Sequence, residues 1–352
     1  MPLLGAYGLY VPADVAYLSA AAAAPGSYVV VGTGSWGTTL AVVLARIGHS
    51  VILLARTAEE AQHLADVGEN ERFLPGVALP PQLTVSADWK LAGTAAIVIV
   101  AVPSDTVGAA LAGLDAYVAP GSVIVSASKG LASNDQRRLS EVIAARFANP
   151  VSVLSGPNLA REIARDLPSS TVVASHQAHA AAAVQRAFAG GMLRVYTSDD
   201  VVGVELAGAL KNVIALAAGA ADGLELGDNA KAALITRGLA EISRLGVALG
   251  AQARTFAGLA GVGDLVATCA SPLSRNRRLG EALARGESWQ AAQARLGQVA
   301  EGVPTTRAAV ALARRAGVEM PIAQQMHAIL FEGRSPRSAV LELMQRELKA
   351  EV

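Results

Sequence analysis

The chain has 352 residues, of which 52% are hydrophobic and only 16% charged, and its formal net charge at pH 7 is zero. That length supports two domains with cores of their own, and that composition excludes disorder. The neutral balance gives nucleic-acid binding no electrostatic support, and one cysteine, Cys269, excludes an intrachain disulfide and a cysteine-built zinc cluster, so the cytoplasm is the expected compartment.

Residues 1–26 are apolar, with Asp14 as their one charged side chain and an alanine run at 20–24. They lack the basic region of a secretory signal and read as a poorly ordered extension or a misplaced start. From Ser27 the chain reads as a strand, Tyr28-Val29-Val30-Val31. It continues into Gly32-Thr33-Gly34-Ser35-Trp36-Gly37 and then a helical pattern over 36–47, closed by Gly48. A G-x-G-x-x-G loop between a strand and a helix is a dinucleotide-binding turn. Gly32 permits the tight turn, Gly34 lets a pyrophosphate approach the backbone, and Gly37 lets the helix pack closely on the strand. The helix N-terminus then offers free N–H groups to the phosphates. The second strand ends at Arg56, about 20 residues past the loop, where an NAD-binding chain usually carries Asp or Glu for the ribose. Glu59 and Glu60 come later. Arginine suits a 2′-phosphate, so NADPH/NADP is the expected cofactor, with NADH/NAD as the alternative.

Further strands are expected at 83–86, 95–102, 122–127, 151–154, 170–175 and 192–196, and helices near 58–67, 105–116, 135–147, 159–165 and 177–189. Alternating helices with near-continuous Val/Ile strands predict an α/β fold, a Rossmann-type domain over 27–198 with a mostly parallel sheet covered on both faces. After Ser198 strand signals vanish. Helical spacing at 200–221, 228–249, 277–285, 289–296, 305–316, 321–331 and 335–350 predicts an all-helical second domain over 199–352, with loops at 258–263 and 270–276. The apolar stretch at 200–222 is interrupted by Glu205 and Lys211, so no uncharged run reaches the roughly 18–20 residues of a membrane span. The cleft between the domains is the expected substrate site. The apolar helical part is compatible with a homodimer.

Lysine is scarce, five against 24 arginines, so a lysine among small apolar residues is there for what arginine cannot do, which is to lose a proton. That singles out Lys129, at the carboxyl edge of the sheet, and Lys211, inside an apolar helix where desolvation and a second cation lower an amine's pKa. Asp264, on the turn Gly261-Val262-Gly263, could orient the amine. Ser274-Arg275-Asn276 at a helix start make a phosphate-binding set of hydroxyl, guanidinium, amide and helix dipole. Gly156 and Asn158 lie in a second glycine-bearing turn, read equally well as an anion site or as a turn with an Asn cap. The five histidines show no partner pattern, which argues against a His–Asp dehydrogenase, and no metal is expected.

Together these segments resemble the NAD(P)-dependent glycerol-3-phosphate dehydrogenases of the soluble bacterial type. The resemblance runs from about Ser27 to about Gly317. It rests on GTGSWGTTLA at 32–41, FLPG at 73–76, SASKGL at 126–131, SGPNLAREIA at 155–164, ELAGALKNVIALAAG at 205–219, NAKAALITRGLAEISRLG at 229–246, GLAGVGDLVATCASPLSRNRRLG at 258–280 and EGVPT at 301–305. It implies reversible reduction of dihydroxyacetone phosphate to sn-glycerol 3-phosphate for phospholipid synthesis, with Lys211 as proton donor and acceptor. By the same resemblance Lys129 touches substrate and cofactor. Gly156, Asn158, Asp264, Ser274, Arg275 and Asn276 hold the substrate. Ser35, Trp36, Arg56, Lys129, Ala160, Arg275, Val299 and Glu301 contact the dinucleotide. The chain departs from the family's pattern at Asn158, where many relatives carry Ser or Thr, and in residues 1–26. Two rival readings keep the loop. A hydroxyacid or ketopantoate-type reductase gives no reason for the Ser274-Arg275-Asn276 set, and a non-catalytic NADPH sensor needs neither Lys211 nor Asp264.

Overall fold

A computed structural model describes residues 26–297 and 299–347. The expected extension therefore lies outside the described residues except for Gly26, whose N–H donates to His49 Nδ1 at 3.2 Å.

Eight strands form one sheet: β1 (Ser27–Val31), β2 (Ser50–Leu54), β3 (Leu83–Ser86), β4 (Ile97–Val100), β5 (Val123–Ser126), β6 (Val151–Ser155), β7 (Ser169–Ala174) and β8 (Leu193–Ser198). Their spatial order is β3-β2-β1-β4-β5-β6-β7-β8. All pairs are parallel except β6 with β7, so the sheet is mostly parallel, as its unbroken apolar strands require. The strand expected over 95–102 is the fully buried β4. Its ladder is shorter, although the flanking N–H groups of Ala96 and Ala101 still donate to Ser27 and Val31 of β1. Strand order reverses between β1 and β4, and ligand crevices in such sheets open at that point.

The helices among these strands are α1 (Ser35–Arg46), α2 (Ala58–Val67), α3 (Val107–Leu114), α4 (Leu139–Ala144), α5 (Ala160–Ile163) and α6 (Ala178–Ala187). Three are shorter than their sequence pattern. A 3₁₀ turn at Ser104–Thr106 precedes α3, because Pro103 has no N–H and Thr106 turns its hydroxyl back onto Pro103 O. The expected helix 135–147 begins only at Leu139. Residues 131–138 form a closed loop in which Leu131 bridges Arg138 and Gln136 adopts a φ of 57°. The helix expected over 159–165 is the single turn α5, ended by the left-handed Asp166. A further 3₁₀ segment, Trp89–Thr94, gave no periodic signal.

Nine helices follow the sheet among the described residues: α7 (Val201–Gly223), α8 (Gly227–Ala248), α9 (Ala253–Phe256), α10 (Asp264–Ala270), α11 (Arg275–Ala284), α12 (Trp289–Leu296), α13 (Gly302–Ala316), α14 (Pro321–Phe331) and α15 (Pro336–Met344). The expected loop 258–263 is in fact a π-helical turn, Leu259–Gly263, which runs straight into α10. Its glycines allow this, since a Cβ on Gly261 would overlap the Phe256 backbone. Helices α11 and α13 begin earlier than the apolar spacing suggests: α11 opens with the polar Arg275-Asn276, which line the cleft, and α13 with Gly302-Val303-Pro304, too short an apolar run to show a helical period. Of the expected helix 335–350, the end at 348–350 lies outside the described residues.

Helix α7 is long and apolar enough to cross a membrane, but 94% of its apolar window is buried inside the protein. It is the central rod of the helical core, wrapped by α8, α10, α11 and α13. It also lies against β6, which sets its side chains at the carboxyl edge of the sheet.

Candidate active site

The cleft opens where the ends of β1, β4 and β5 meet α7, α10 and α11, and has a volume of about 290 Å³. At its floor two lysines meet on one carboxylate. Lys129, three residues past β5, donates from Nζ to Asp264 Oδ2 at 2.9 Å and to the Gly156 carbonyl at 2.8 Å. Lys211, in the middle of α7, donates to the other oxygen, Asp264 Oδ1, and to Thr268 Oγ1 at 2.6 Å. Thr268 stands one turn after Asp264 on α10 and donates to the Asp264 carbonyl at 2.7 Å. Asp264 is 1% exposed and Lys211 5%. Burial drives the Lys211 amine down to about 7, and the positive charge of Lys129 pushes the same way; the Asp264 carboxylate opposes both without cancelling them.

Along one wall runs the start of α11. Ser274 caps it, its oxygen accepting from Arg277 N at 3.3 Å, which leaves the hydroxyl hydrogen for a ligand. Arg275 donates to the Val299 carbonyl at 3.0 Å across the cleft mouth. Asn276 is more committed than its sequence position suggests. Its amide donates to Asn212 Oδ1 at 2.8 Å and its carbonyl accepts from Gly302 N at 2.9 Å, so one N–H remains. On the opposite side Asn158 donates to Thr171 Oγ1 at 3.1 Å, while its own Oδ1 is buried without a partner.

At the sheet end the glycine loop is shaped for a dinucleotide. Gly32 has a φ of 110°, and a Cβ there would meet Val102 at 2.8 Å. A Cβ on Gly37 would overlap the Gly32 carbonyl. At Gly34, by contrast, a Cβ would meet nothing within 4 Å, because that glycine faces the open cleft. Gly34 is also the N-cap of α1, with no side-chain cap and no acidic residue in the first turn. The free N–H groups and the space in front of them fit a pyrophosphate. Ser35, Trp36, Ala160, Val299 and Glu301 line the same cleft. Glu301 holds the β4 edge, accepting from Ser104 N at 3.1 Å and Ser104 Oγ at 2.6 Å, and its burial raises its pKa.

The structure thus brings Lys129, Lys211, Asn158, Ser274, Arg275 and Asn276 to one cleft, with Asp264 and the Gly156 carbonyl directly behind the lysines. Gly32 and Gly37 sit beneath the loop. Arg56 is set apart, exposed past the end of β2. The nearby Glu60 carboxylate is already taken, by the Thr33 hydroxyl at 2.6 Å and Arg56 N at 3.2 Å. Sequence reasoning gave no role to Phe73, Arg161, Asn212, Thr268 or Arg278, which also line the cleft. Thr268 was within reach, since it follows Asp264 by one helical turn. Among the described residues no three His, Cys, Asp or Glu side chains gather at metal-binding range.

Fold and cleft define a dinucleotide-dependent oxidoreductase. The chain matches the family described as NAD-dependent glycerol-3-phosphate dehydrogenase, with the N-terminal part over residues 27–181 and the C-terminal part over residues 200–341, and it belongs to that family. It is 50% identical over 327 residues to the glycerol-3-phosphate dehydrogenase [NAD(P)+] of Geobacter sulfurreducens, covering 92% of this chain and 98% of that one. With the protein of the same name from Desulfitobacterium hafniense it shares 47% identity over 324 residues, 92% of each chain. The crystal structure of glycerol-3-phosphate dehydrogenase from Coxiella burnetii superposes with a TM-score of 0.88 at 40% identity, covering 92% of this chain and 99% of that one. A ketopantoate reductase from Ralstonia eutropha, at 18% identity and a TM-score of 0.57, shares the fold alone.

Proposed function

We propose that the chain reduces dihydroxyacetone phosphate to sn-glycerol 3-phosphate, reversibly and with NADPH preferred over NADH. The observation that carries this reading is the pair Lys129 and Lys211 on the buried Asp264, between a dinucleotide cradle and the phosphate-binding start of α11. When bound, the reduced nicotinamide supplies hydride to the carbonyl carbon. Lys211 delivers the proton to the carbonyl oxygen, an act suited to an amine that titrates near neutrality. Asp264 aims that amine, and Lys129 holds the substrate beside it. Ser274, Arg275, the remaining N–H of Asn276 and the α11 N-terminus receive the phosphate, and the unpartnered Asn158 Oδ1 accepts from a substrate hydroxyl.

The two domains divide at about 198/199 in this reading, the first for the dinucleotide and the second for the substrate. Gly34, Ser35 and Trp36 would hold the pyrophosphate over the turn that Gly32 and Gly37 shape, and Ala160, Val299 and Glu301 would contact the dinucleotide. Arg56 would receive the 2′-phosphate, the nearby Glu60 carboxylate being engaged by Thr33 and Arg56 N. The reading extends to cytoplasmic action, supply of glycerol 3-phosphate for phospholipid synthesis, and assembly as a homodimer. The test is loss of reduced-nicotinamide absorbance with purified protein and dihydroxyacetone phosphate, run in parallel with NADPH and NADH. Rapid loss, faster with NADPH, is expected. Protein that binds NADPH yet oxidises neither cofactor with this ketone sinks the reading.

A further inference from the structure

Helix α7 meets the sheet domain along one face. At spacings of three and four residues that face presents Glu205, Gly208 and then Lys211 with Asn212. Glu205 is outside the cleft and 4% exposed. Its carboxylate accepts from Ser140 N at 2.9 Å and from the Ser140 hydroxyl, and lies 3.5 Å from Arg138 Nη1. Every one of these donors belongs to the segment that follows Lys129. A methyl group on Gly208 would overlap Ser155 Oγ, and its Cβ position is 4.0 Å from Lys129 Cγ, so α7 rests directly on the Lys129 stem.

The Lys129 segment is itself closed. Leu131 bridges Arg138, and Ala132 N donates to Arg137 O at 2.9 Å, so a hold on residues 138–140 is a hold on the whole loop. Its near end is packed under Ser104, since a Cβ on Gly130 would sit 2.6 Å from Ser104 Cβ. Burying a carboxylate opposes folding, and an apolar contact would join helix and loop at lower cost. What the carboxylate adds is direction, because two hydrogen bonds from Ser140 and the ion pair with Arg138 fix the loop against the helix in one register.

We propose that Glu205 is a positioning residue, gripping Ser140 so that Lys129 and Lys211 meet the two oxygens of Asp264 at a fixed separation. The inference rests on the reading of Lys211 as proton donor. Loosening the grip lets Lys129 withdraw from Asp264. Lys211 then loses a neighbouring cation and gains a larger share of the carboxylate, and both changes favour its charged form. The titratable groups facing Lys211 are Asp264, Lys129 and Cys269, whose thiol burial pushes up to about 12 and keeps neutral. Those facing Glu205 are Arg138 and Glu141.

The test is the pH profile of dihydroxyacetone phosphate reduction at saturating NADPH, in Glu205→Gln, Ser140→Ala and the double variant. Glu205→Gln is expected to lower kcat by about 10-fold or more through misplacement, with KM for the ketone changed less than about 2-fold. The descending limb should move to higher pH by about half a unit or more. Ser140→Ala should shift the limb the same way by less, and the double variant should go no further than Glu205→Gln, since both act through one contact. A lowered Tm with kcat and limb unchanged would mean a structural role only and overturns the proposal. If Glu205→Gln does not fold, the limb of Ser140→Ala decides alone. Lys211→Ala separates the two readings. Turnover surviving that change sinks the proton-donor role, whereas turnover lost there, with the limb unmoved in Glu205→Gln, sinks only the positioning role.

Discussion

Lys129 and Lys211 hold opposite oxygens of the same carboxylate, although 82 residues separate them and one comes from the sheet, the other from the central helix. A single buried negative charge thus faces two amines. Burial lowers the Lys211 pKa most, and the second amine adds to that against the pull of the carboxylate, which is what a proton-donating lysine needs. The substrate oxygen can be served by the amine that the carboxylate does not fully neutralise.

Lys211→Ala should cut kcat by about 10²- to 10⁴-fold while NADPH binding, read by fluorescence titration, is retained. The wild-type pH dependence follows from the same group. Reduction needs the charged amine and should fall as pH rises through about 7; oxidation of glycerol 3-phosphate needs the neutral amine and should rise through the same region. Parallel profiles in the two directions would remove Lys211 from proton transfer. Linkage adds a stability signature. With the pKa lowered from 10.5 to about 7 on folding, the unfolded chain binds more protons between those values, so this group makes stability rise with pH there. Lys211→Met should flatten that slope in denaturant titrations.

Asp264→Asn leaves two buried or half-buried amines without their counter-charge. Removing one partner of such a set costs about 3–5 kcal/mol, so a marked fall in Tm is expected. With the carboxylate gone, Lys211 loses the counter-charge that favours its charged form, and residual reduction should fall off at lower pH than in the wild type. An unmoved limb would mean that Asp264 does not govern the amine.

In the proposed binding mode Arg275→Ala removes a guanidinium that receives the substrate phosphate at the start of α11. A charge-assisted hydrogen bond of about 1.5–3 kcal/mol predicts a rise in KM for dihydroxyacetone phosphate of about 10- to 100-fold. Reduction of unphosphorylated dihydroxyacetone should change little. An equal loss for both ketones would place Arg275 elsewhere in the mechanism.

Arg56→Asp should reverse the cofactor ratio, raising KM for NADPH and lowering it for NADH. The change is local, because the Arg56 side chain is exposed and its backbone N–H already has Glu60 as partner. An unaltered NADPH-to-NADH ratio of kcat/KM would show that another group reads the 2′-phosphate.

The strands were legible because a parallel sheet buried on both faces leaves unbroken runs such as Ile97-Val98-Ile99-Val100. The glycine loop was legible because Gly32 and Gly37 answer local steric demands and Gly34 leaves the cleft open in front of α1. Two turns were not. Leu259–Gly263 reads as a glycine loop and folds as a π-turn, and 135–138, read as the start of a helix, closes a loop with Leu131 and Ala132 instead. At the site, residue types singled out the two lysines, Asp264 and Ser274-Arg275-Asn276, which the fold brings together. They could not show that Asn276 is tied to Asn212, 64 positions away, or that Glu205 reaches Ser140. Hydrogen bonds at such separations leave no periodic trace.

Helix α11 lies on α7 in backbone contact. Gly280 on α11 sits against the Leu216 carbonyl and the Ala220 N–H of α7, and Gly219 on α7 sits against the Arg277 carbonyl of α11. Helix propensity alone makes Gly→Ala in a helix interior favourable by about 1 kcal/mol. At Gly280 the added methyl would overlap the Leu216 oxygen and lie 2.8 Å from Ala220 N, and both of these are backbone atoms that no rotamer change can move. Overpacking of a rigid contact costs about 1–3 kcal/mol or more, so clash outweighs propensity and Gly280→Ala should lower the denaturant midpoint. The start of α11 carries Ser274, Arg275 and Asn276, so separating the helices should also raise KM for dihydroxyacetone phosphate. A variant as stable as the wild type would show that the two helices are not in backbone contact.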